Sequence, residues 1–455
     1  MIRPVLILVF IAFAYTGIAQ NSFIQTVEDF SLSSLYGVFS ADDNFVTYGI
    51  YIDSTGSRMA RKTDTSGNTL WTWKALDYTM NIYCGAADGD GNIYLCRYRS
   101  SLGPRLLKLS PEGDSIWQKP LPGNQPISIS RTHDDLFLLL SHAGNGLIFS
   151  KTDLSGDVIW SKQISNIDLD DERNGLTHFE MSDSAILIIT QSSEPLFGDY
   201  ITYFQLFSQA GDSLSEFSFP VYGPQQIVYS AFRLNDHEVA LTGKYQGEYN
   251  VDQRFVSRIN VLSGEVVWYK TVLQDILNAR LLIAGVSENR IMISGNIQNT
   301  VNMPLQALSM GMTLDGDVLF YRGYGVNILQ DISSVCLAAD GGIVAAGHTY
   351  SGDKMKGFIM KTDHNGMVNV LGTGSVTSRI ILNCYPNPVV DRLCIETSAG
   401  IRLIELFDAK GRKTGQTECY GNKKIMLPMN AQRPGLLLVR VVHDQGVDCI
   451  KVMVR

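Results

Sequence analysis

A short motif with a turn glycine followed by a tryptophan recurs along the middle of the chain. Four of the five tryptophans lie four residues after such a glycine. The complete copies pair Gly67 with Trp71, Gly113 with Trp117, Gly156 with Trp160 and Gly264 with Trp268. Less complete copies have their glycines at Gly211, Gly316 and Gly366. Consecutive glycines of the seven copies are 43 to 55 residues apart. A period of this length is typical of repeat architectures.

Each repeat contains the signals of two hairpins. Glycine accepts the positive φ angle of a tight turn, and a following Asn or Asp tolerates similar geometry. Residues 105–109 alternate polar and apolar before one such turn, and another turn precedes them at residues 88–92. Four short antiparallel strands in about 50 residues are typical of a propeller blade. The sequence therefore predicts an all-β protein with a seven-bladed β-propeller over residues 20–372.

Residues 23–27 resemble the outer strand of a blade that has no other strands of its own. Phe23 lies 12 residues before Leu35, as Trp71 lies 12 residues before Tyr83. The outer strand of the last repeat, residues 367–371, is only weakly indicated by its sequence. We expect residues 23–27 to pair with the last blade, because a closed ring leaves only short strand edges. A loosely packed leader is the alternative.

The aligned tryptophans have two possible roles. Exposed tryptophans stack on sugar rings, whereas tryptophans fixed by a structural period pack between neighbouring blades. The period favours packing for Trp71, Trp117, Trp160 and Trp268. A second residue type follows the same period, because lysines lie five residues before four of the glycines, at Lys62, Lys108, Lys151 and Lys361.

The first residues have the pattern of a signal peptide. Arg3 precedes an apolar run over residues 5–14, and Gly17 and Ala19 supply small residues before a cleavage point. We therefore expect residues 1–19 to be removed. No later stretch approaches the roughly 18 apolar residues that span a membrane, and so the expected mature protein is soluble and exported.

The chain changes character near residue 373. Residues 373–379 have the composition of a linker. Alternating apolar strands and Pro, Gly and Asn turns then predict a small Ig-like β-sandwich over residues 380–455. Its short motifs contain Tyr385, Pro386, Asn387, Pro388, Gly411, Arg412, Gly435 and Lys451.

These motifs resemble the type A C-terminal sorting domain of the Bacteroidetes type IX secretion system. The strand that begins at Gly435 lacks the usual aromatic residue, and the extra cysteines are atypical. The resemblance implies passage through the periplasm and across the outer membrane, with the secretion machinery and its sortase as partners. It also implies that the cargo is secreted or attached to the cell surface.

The turn-and-tryptophan motif resembles the repeats of quinoprotein-type and outer-membrane propellers. Residues 340–347 and 357–363 also resemble segments of exported Bacteroidetes propellers. This resemblance implies a fold and no activity, because propellers have many unrelated functions. Quinone-dependent enzymes of this kind resemble eight-bladed rings with a calcium site, whereas seven repeats occur here.

Charge and chemical motifs restrict the function. The formal net charge is −8, which argues against nucleic-acid binding. Residues 380–455 contain 11 Lys and Arg against 7 Asp and Glu, so a basic sorting domain follows an acidic cargo. Hydrolase, phosphate-loop and dinucleotide motifs are absent.

The seven histidines show no ligand spacing, and we expect His348 to be structural. Residues 88–92 are the best calcium candidate, but a hairpin turn explains them, and we expect no catalytic, cofactor or metal site.

The seven cysteines fit an exported chain without forming a disulfide scaffold. Cys84 and Cys96 flank a predicted turn and are either a cross-strand disulfide or two buried thiols. Four more near the C-terminus allow three pairings: Cys384, Cys394, Cys419 and Cys449. Cys336 is left over.

The sequence favours an exported, non-catalytic binding protein with an unknown glycan or protein ligand. Propellers bind at one face through loops that differ between blades, and the longer loops are residues 191–201, 244–255 and 296–305. The alternative is an enzyme, either a propeller acting on glycans or a quinoprotein-like dehydrogenase. A glycan hydrolase would need paired carboxylates about 5–10 Å apart.

Overall fold

The computed structural model describes most of the chain, namely residues 22–27, 32–52, 58–75, 80–144, 146–165, 177–182, 185–193, 200–247, 252–274, 276–298, 304–324, 330–351, 354–368, 383–408, 412–430, 432–443 and 446–455. The predicted signal peptide, the predicted linker and Gly411 lie outside the described residues. The proposed domain boundaries at 372 and 380 lie there as well.

Seven four-stranded antiparallel sheets follow one another along the chain. The first three blades contain β2 (Leu32–Ala41), β3 (Asn44–Ile52), β4 (Arg58–Thr63), β5 (Thr69–Lys74), β6 (Asn81–Ala87), β7 (Ile93–Arg99), β8 (Gly103–Leu109), β9 (Ser115–Pro120), β10 (Pro126–Arg131), β11 (Phe137–Ala143), β12 (Gly146–Thr152) and β13 (Val158–Ser165). The next three contain β14 (Thr177–Ser182), β15 (Ala185–Ser193), β16 (Tyr200–Phe207), β17 (Ser213–Ser218), β18 (Ile227–Arg233), β19 (Glu238–Gln246), β20 (Asp252–Asn260), β21 (Val266–Val272), β22 (Asn278–Ser287), β23 (Arg290–Gln298), β24 (Gln306–Thr313) and β25 (Val318–Tyr324).

The seventh blade is completed by a strand from the other end of the domain. It contains β26 (Gln330–Leu337), β27 (Ile343–Ser351) and β28 (Lys354–Lys361). Its outer strand is β1 (Phe23–Thr26), which pairs antiparallel with β28 so that Phe23 is opposite Lys361. The predicted closure of the ring is therefore confirmed, and so are the all-β class and the seven blades.

The turn glycines and the outer-strand aromatic residues interlock neighbouring blades. All seven glycines have φ between +68° and +92°. An added Cβ atom would lie 2.2 to 3.4 Å from an aromatic residue of the preceding blade. The seven contacts are Trp71 with Gly113, Trp117 with Gly156, Trp160 with Gly211, Phe217 with Gly264, Trp268 with Gly316, Phe320 with Gly366 and Phe23 with Gly67. The tryptophans thus lie between blades, packed closely against the turn glycines of the next blade.

Two of these tryptophans also donate a hydrogen bond to the next blade. Trp71 Nε1 donates to the carbonyl oxygen of Pro111 at 2.7 Å, and Trp268 Nε1 donates to that of Leu314 at 2.8 Å. A buried indole N–H requires such an acceptor. The contact between blades is therefore directional as well as apolar.

The periodic lysines form an ion pair inside each of four blades. Each lysine of the third strand reaches the aspartate in the turn between the first two strands. The pairs are Lys62 with Asp42, Lys108 with Asp88, Lys151 with Asp134 and Lys361 with Asp340. Arg258 and Glu238 form the corresponding pair of the fifth blade at 2.6 Å. A buried cation needs such a partner, so these lysines are structural residues of the repeat.

The C-terminal residues form a separate small β-sandwich, as the sequence predicts. Its strands are β29 (Asn383–Tyr385), β30 (Arg392–Asp408), β31 (Lys413–Pro428), β32 (Gly435–His443) and β33 (Gly446–Val454). The long strand β30 pairs with β29, β31 and β32, and its register shifts twice between Glu396 and Leu403. Apolar residues from both halves of β30 belong to one core.

The described residues include no helix with the length and apolar character needed to cross a bilayer.

Candidate functional site

Two regions are candidates for function, and the first is the start of the C-terminal sandwich. Asn387 Nδ2 donates to the carbonyl oxygen of Lys451 at 3.1 Å, and the backbone N–H of Met453 donates to Asn387 Oδ1 at 2.8 Å. Both prolines follow cis peptide bonds. The predicted motif residues at 385–388 and 451 therefore meet, although they lie at opposite ends of the domain.

Tyr385 extends this arrangement across the sheet. Its hydroxyl donates to Glu396 Oε2 at 2.8 Å and accepts from Lys424 Nζ at 3.1 Å. The Tyr385 ring remains 44% exposed. The motif thus presents an aromatic ring and charged groups at the surface rather than in the core.

The other predicted motif residues lie in turns and along β32. Arg412 closes the turn after β30, donating its backbone N–H and its Nε to Asp408 at 3.0 and 2.8 Å. Gly435 has φ +136°, and an added Cβ would meet nothing within 4 Å. Gly411 lies outside the described residues.

One face of this sandwich exposes apolar side chains. Leu436 and Leu438 on β32 are 40% and 38% exposed, and Met453, opposite Leu436 on β33, is 43% exposed. Leu437 and Val439, which alternate with these leucines along β32, are buried in the core. We call Leu436, Leu438 and Met453 the apolar face. Exposed apolar clusters mark surfaces that contact a partner.

The second region is the upper mouth of the propeller. We define the upper face as the side that carries the connections between second and third strands and the connections between blades. The predicted loops 191–201, 244–255 and 296–305 are all connections of this kind, β15–β16, β19–β20 and β23–β24. Residues 194–199, 248–251 and 299–303 within them lie outside the described residues.

Three tyrosines lie at matching bulges of the inner strands. The pairing of the first two strands skips Tyr36, Tyr83 and Tyr229 in the first, second and fifth blades. A bulge re-aims the side chain of its extra residue, and the inner strands border the central channel. Tyr36 is 43% exposed. The repeated turn motif does not contain these tyrosines, so no sequence pattern predicts them.

Polar groups surround the tyrosines of the first two blades. Arg58 Nε donates to Asn81 Oδ1 at 2.7 Å, and Asn81 Nδ2 donates to the Tyr83 hydroxyl at 3.3 Å. Burial raises the pKa of Tyr36, and the nearby Arg58 guanidinium opposes this increase only in part. We call Tyr36, Arg58, Asn81 and Tyr83 the tyrosine cluster. It offers ring faces beside hydrogen-bond donors, which is a chemistry suited to sugars and to polar side chains.

His348 lies on the same face and is hydrogen-bonded. Its Nδ1 is 3.5 Å from Ser34 Oγ, and its Nε2 is 4.0 Å from Asp331 Oδ2. Asn296 Nδ2 donates to the other oxygen of Asp331 at 2.6 Å. These contacts join the first, sixth and seventh blades, so His348 has a structural environment.

The calcium candidate at residues 88–92 is a hairpin turn. Asp88 Oδ1 accepts the backbone N–H groups of Asp90 and Asn92, and Oδ2 accepts from Asn92 Nδ2 and the Tyr94 hydroxyl. Burial acts to raise the pKa of Asp88, but these hydrogen bonds together lower it. Within the described chain, no three His, Cys, Asp or Glu residues group as a metal site.

A polar network lies at the opposite, lower end of the propeller, and no sequence motif predicts it. His133 Nδ1 is 3.0 Å from the buried Glu180 carboxylate, and His133 Nε2 is 3.0 Å from Arg233 Nη1. Gln209 Nε2 donates to the second oxygen of Glu180 at 2.7 Å. The network connects the third, fourth and fifth blades. No spacing rule predicts it, because His133 and Arg233 are 100 residues apart.

The C-terminal region matches a known family. Residues 383–455 match the model of the secretion system C-terminal sorting domain, the region that the sequence motifs single out. No curated protein sequence matches the chain.

Several solved structures are similar to the chain in fold. The WD40 β-propeller domain of Doa1 aligns with a TM-score of 0.47 and 11% identity, covering 75% of this chain and 96% of that one. The β-propeller domain of the Trilobed protease from Pyrococcus furiosus aligns with a TM-score of 0.46 and 11% identity, covering 73% and 99%. A protein of unknown function from Bacteroides caccae aligns with a TM-score of 0.40 and 15% identity, covering 67% and 98%. No activity follows from similarities this distant.

Proposed function

We propose that this chain is an exported, non-catalytic binding protein that the type IX secretion system delivers to the cell surface or the medium. The observation that carries the proposal is the C-terminal sorting domain at residues 383–455, joined to a propeller. A sorting domain makes the preceding domain the delivered cargo. The propeller then performs the function outside the cell, with a glycan or a protein as its ligand.

The surface of the sorting domain supports recognition by the secretion machinery and its sortase. Tyr385 and the apolar face are exposed on a domain with excess positive charge. Apolar side chains provide most of the contact energy of a protein interface, and complementary charge speeds the encounter. Asn387 would act indirectly, because it fixes the motif to β33.

The upper mouth supports the binding role of the propeller. The tyrosine cluster combines the exposed ring of Tyr36 and the half-buried ring of Tyr83 with an amide and a guanidinium. Aromatic rings and arginine are frequent binding hot spots. The connections β15–β16, β19–β20 and β23–β24 belong to the same upper face, and propellers typically bind ligands through loops on one face.

Delivery is tested with tagged full-length chains in a host that has type IX secretion. We expect the chain lacking residues 380–455, and the Asn387→Ala variant to a lesser degree, to accumulate in the periplasm. Asn422→Ala is the matched control, because Asn422 is an exposed β31 residue of the same domain. Cell fractionation and mass spectrometry of the mature termini give the readout. Normal surface delivery of the truncated chain would refute the sorting role.

Binding is tested with the purified mature chain on immobilised bacterial and animal polysaccharides and on collagen and fibronectin. For any probe that binds, we expect Tyr36→Ala or Tyr83→Ala to weaken affinity at least tenfold, a change of about 1.4 kcal/mol. Tyr321→Ala is the matched control, because Tyr321 is 56% exposed on the outer strand β25. Turnover of any of these polymers without stable binding would favour the enzyme alternative instead.

A further inference from the structure

The two cysteines of the second blade face each other across its first hairpin. Cys84 lies on the inner strand β6, directly opposite Cys96 on β7. Both side chains are buried, with exposed fractions of 8% and 0%, and both are free thiols in the structure. The hairpin also carries Tyr83 of the tyrosine cluster.

Directly opposed positions have the geometry that a disulfide requires. Opposed residues of antiparallel strands have Cα atoms about 4.5 or 5.5 Å apart, depending on their hydrogen bonding. Disulfides join Cα atoms about 4.4 to 6.8 Å apart. Side chains at opposed positions also point to the same face of the sheet. A bond between the two sulfur atoms therefore needs no movement of the strands.

The other cysteines with a described strand register are each opposite a residue other than cysteine, and Cys449 is opposite Arg440. Cys336 is opposite Val344. Cys384 is opposite Ile395, whereas Cys394 is opposite Tyr385, so the two point to opposite faces of their sheet. Cys84 and Cys96 therefore differ from these residues in strand register.

We propose that Cys84 and Cys96 form a disulfide bond in the exported protein. The oxidant is a disulfide-bearing thiol oxidoreductase of the periplasm. One cysteine thiolate attacks the enzyme disulfide and forms a mixed disulfide, releasing one enzyme thiol. The second cysteine then attacks the mixed disulfide, which forms the Cys84–Cys96 bond and releases the other enzyme thiol. Two electrons and two protons pass from the chain to the enzyme.

Because both thiols are buried in the folded blade, this bond must form before the blade folds. Desolvation and the adjacent Cys96 thiol raise the pKa of the Cys84 thiol, and the thiolate is the reactive form. In the folded blade the pair is therefore unreactive and closed to a protein oxidant. Oxidation must occur in the translocated chain before the second blade folds. A chain that folds in a reducing cytoplasm keeps both thiols.

The test compares the same chain folded in two compartments of a Gram-negative host. One form has an established Sec signal in place of residues 1–19, and the other lacks any signal. Each is denatured in excess N-ethylmaleimide, then reduced, labelled with deuterated reagent and mapped by peptide mass spectrometry. We expect the heavy label on Cys84 and Cys96 of the exported form only, with the light label on Cys336 in both forms.

Single variants identify the bonded partner. In exported Cys84→Ser and Cys96→Ser chains, the remaining cysteine of the pair should carry the light label. Light label on both residues of the exported wild-type chain, or a bond from either to another cysteine, would overturn the proposal. The proposal rests only on the export part of the proposed function. Because the experiment uses neither the sorting domain nor a ligand, its failure would leave sorting and binding untouched.

Discussion

At the scale of single residues, the repeat depends on one contact that is made seven times. A turn glycine gives the backbone its positive φ and also leaves space for an aromatic residue of the preceding blade. Both requirements favour glycine, because a Cβ atom strains a left-handed turn and would crowd the ring. The pairing of Gly113 with Trp71 is representative, with 2.7 Å between an added Cβ and the indole.

Gly113→Ala should therefore destabilise the propeller more than an alanine in an equally left-handed but open turn. We expect a loss of about 3 kcal/mol in the free energy of unfolding, from backbone strain and from overpacking against Trp71. Gly103→Ala is the matched control, because Gly103 has φ +72° and open space around it. It should lose about 1 kcal/mol. Denaturant titration gives both values, and equal losses would show that the Trp71 contact is unimportant.

At the scale of elements, the outer strand of the seventh blade comes from the other end of the propeller. Strand β1 covers the edge of β28, which would otherwise expose unpaired backbone groups. Phe23 takes the place of the repeat aromatic, lying against the Gly67 turn, with its ring centroid 6.2 Å from that of Phe45. The strand therefore extends the interlock of the blades across the junction of the ring.

Phe23→Ala should loosen this junction. The side chain is half-buried, so we expect a loss of about 2 kcal/mol, below the roughly 3–5 kcal/mol of a fully buried phenylalanine. Hydrogen exchange should also rise in β28, which loses its neighbour when β1 detaches. Ile24→Ala, on the same strand but 39% exposed, should change stability by less than about 0.5 kcal/mol. Unaltered exchange in β28 of the Phe23 variant would contradict the closure role.

At the scale of the whole molecule, the propeller and the sorting domain have separate hydrophobic cores. The buried cluster of the sorting domain contains only residues between Val389 and Val454. The remaining clusters contain only propeller residues, from Phe23 to Val368. Separate cores allow a sorting domain to be removed after delivery without damage to its cargo.

Removal of residues 380–455 should therefore leave the stability of the propeller unchanged. Calorimetry of the full chain should show two transitions, and the truncated chain should keep the propeller transition within about 1 °C, less than a change of 1 kcal/mol would produce in a domain of this size. A large decrease in that midpoint would show that the two domains stabilise each other.

The repeat could be predicted from sequence because its determinants are local. Gly67 and Trp71 are four residues apart, and the same pair recurs in other blades. Turn geometry and strand alternation depend on near neighbours, so the blade, the ring and the closing role of Phe23 followed from spacing. The motif at residues 385–388 was readable for the same reason, because it is contiguous.

Polar contacts between residues far apart in the chain were decided only by the tertiary structure. Tyr36 and Tyr83 lie at bulges of neighbouring inner strands, and a bulge depends on how two strands pair rather than on a residue pattern. His133 meets Arg233, and Asn387 meets Met453, across long stretches of chain. Spacing along a chain specifies which neighbours pack locally. Which distant side chains meet depends on the strand register and on how neighbouring blades pack, and only the folded chain sets both.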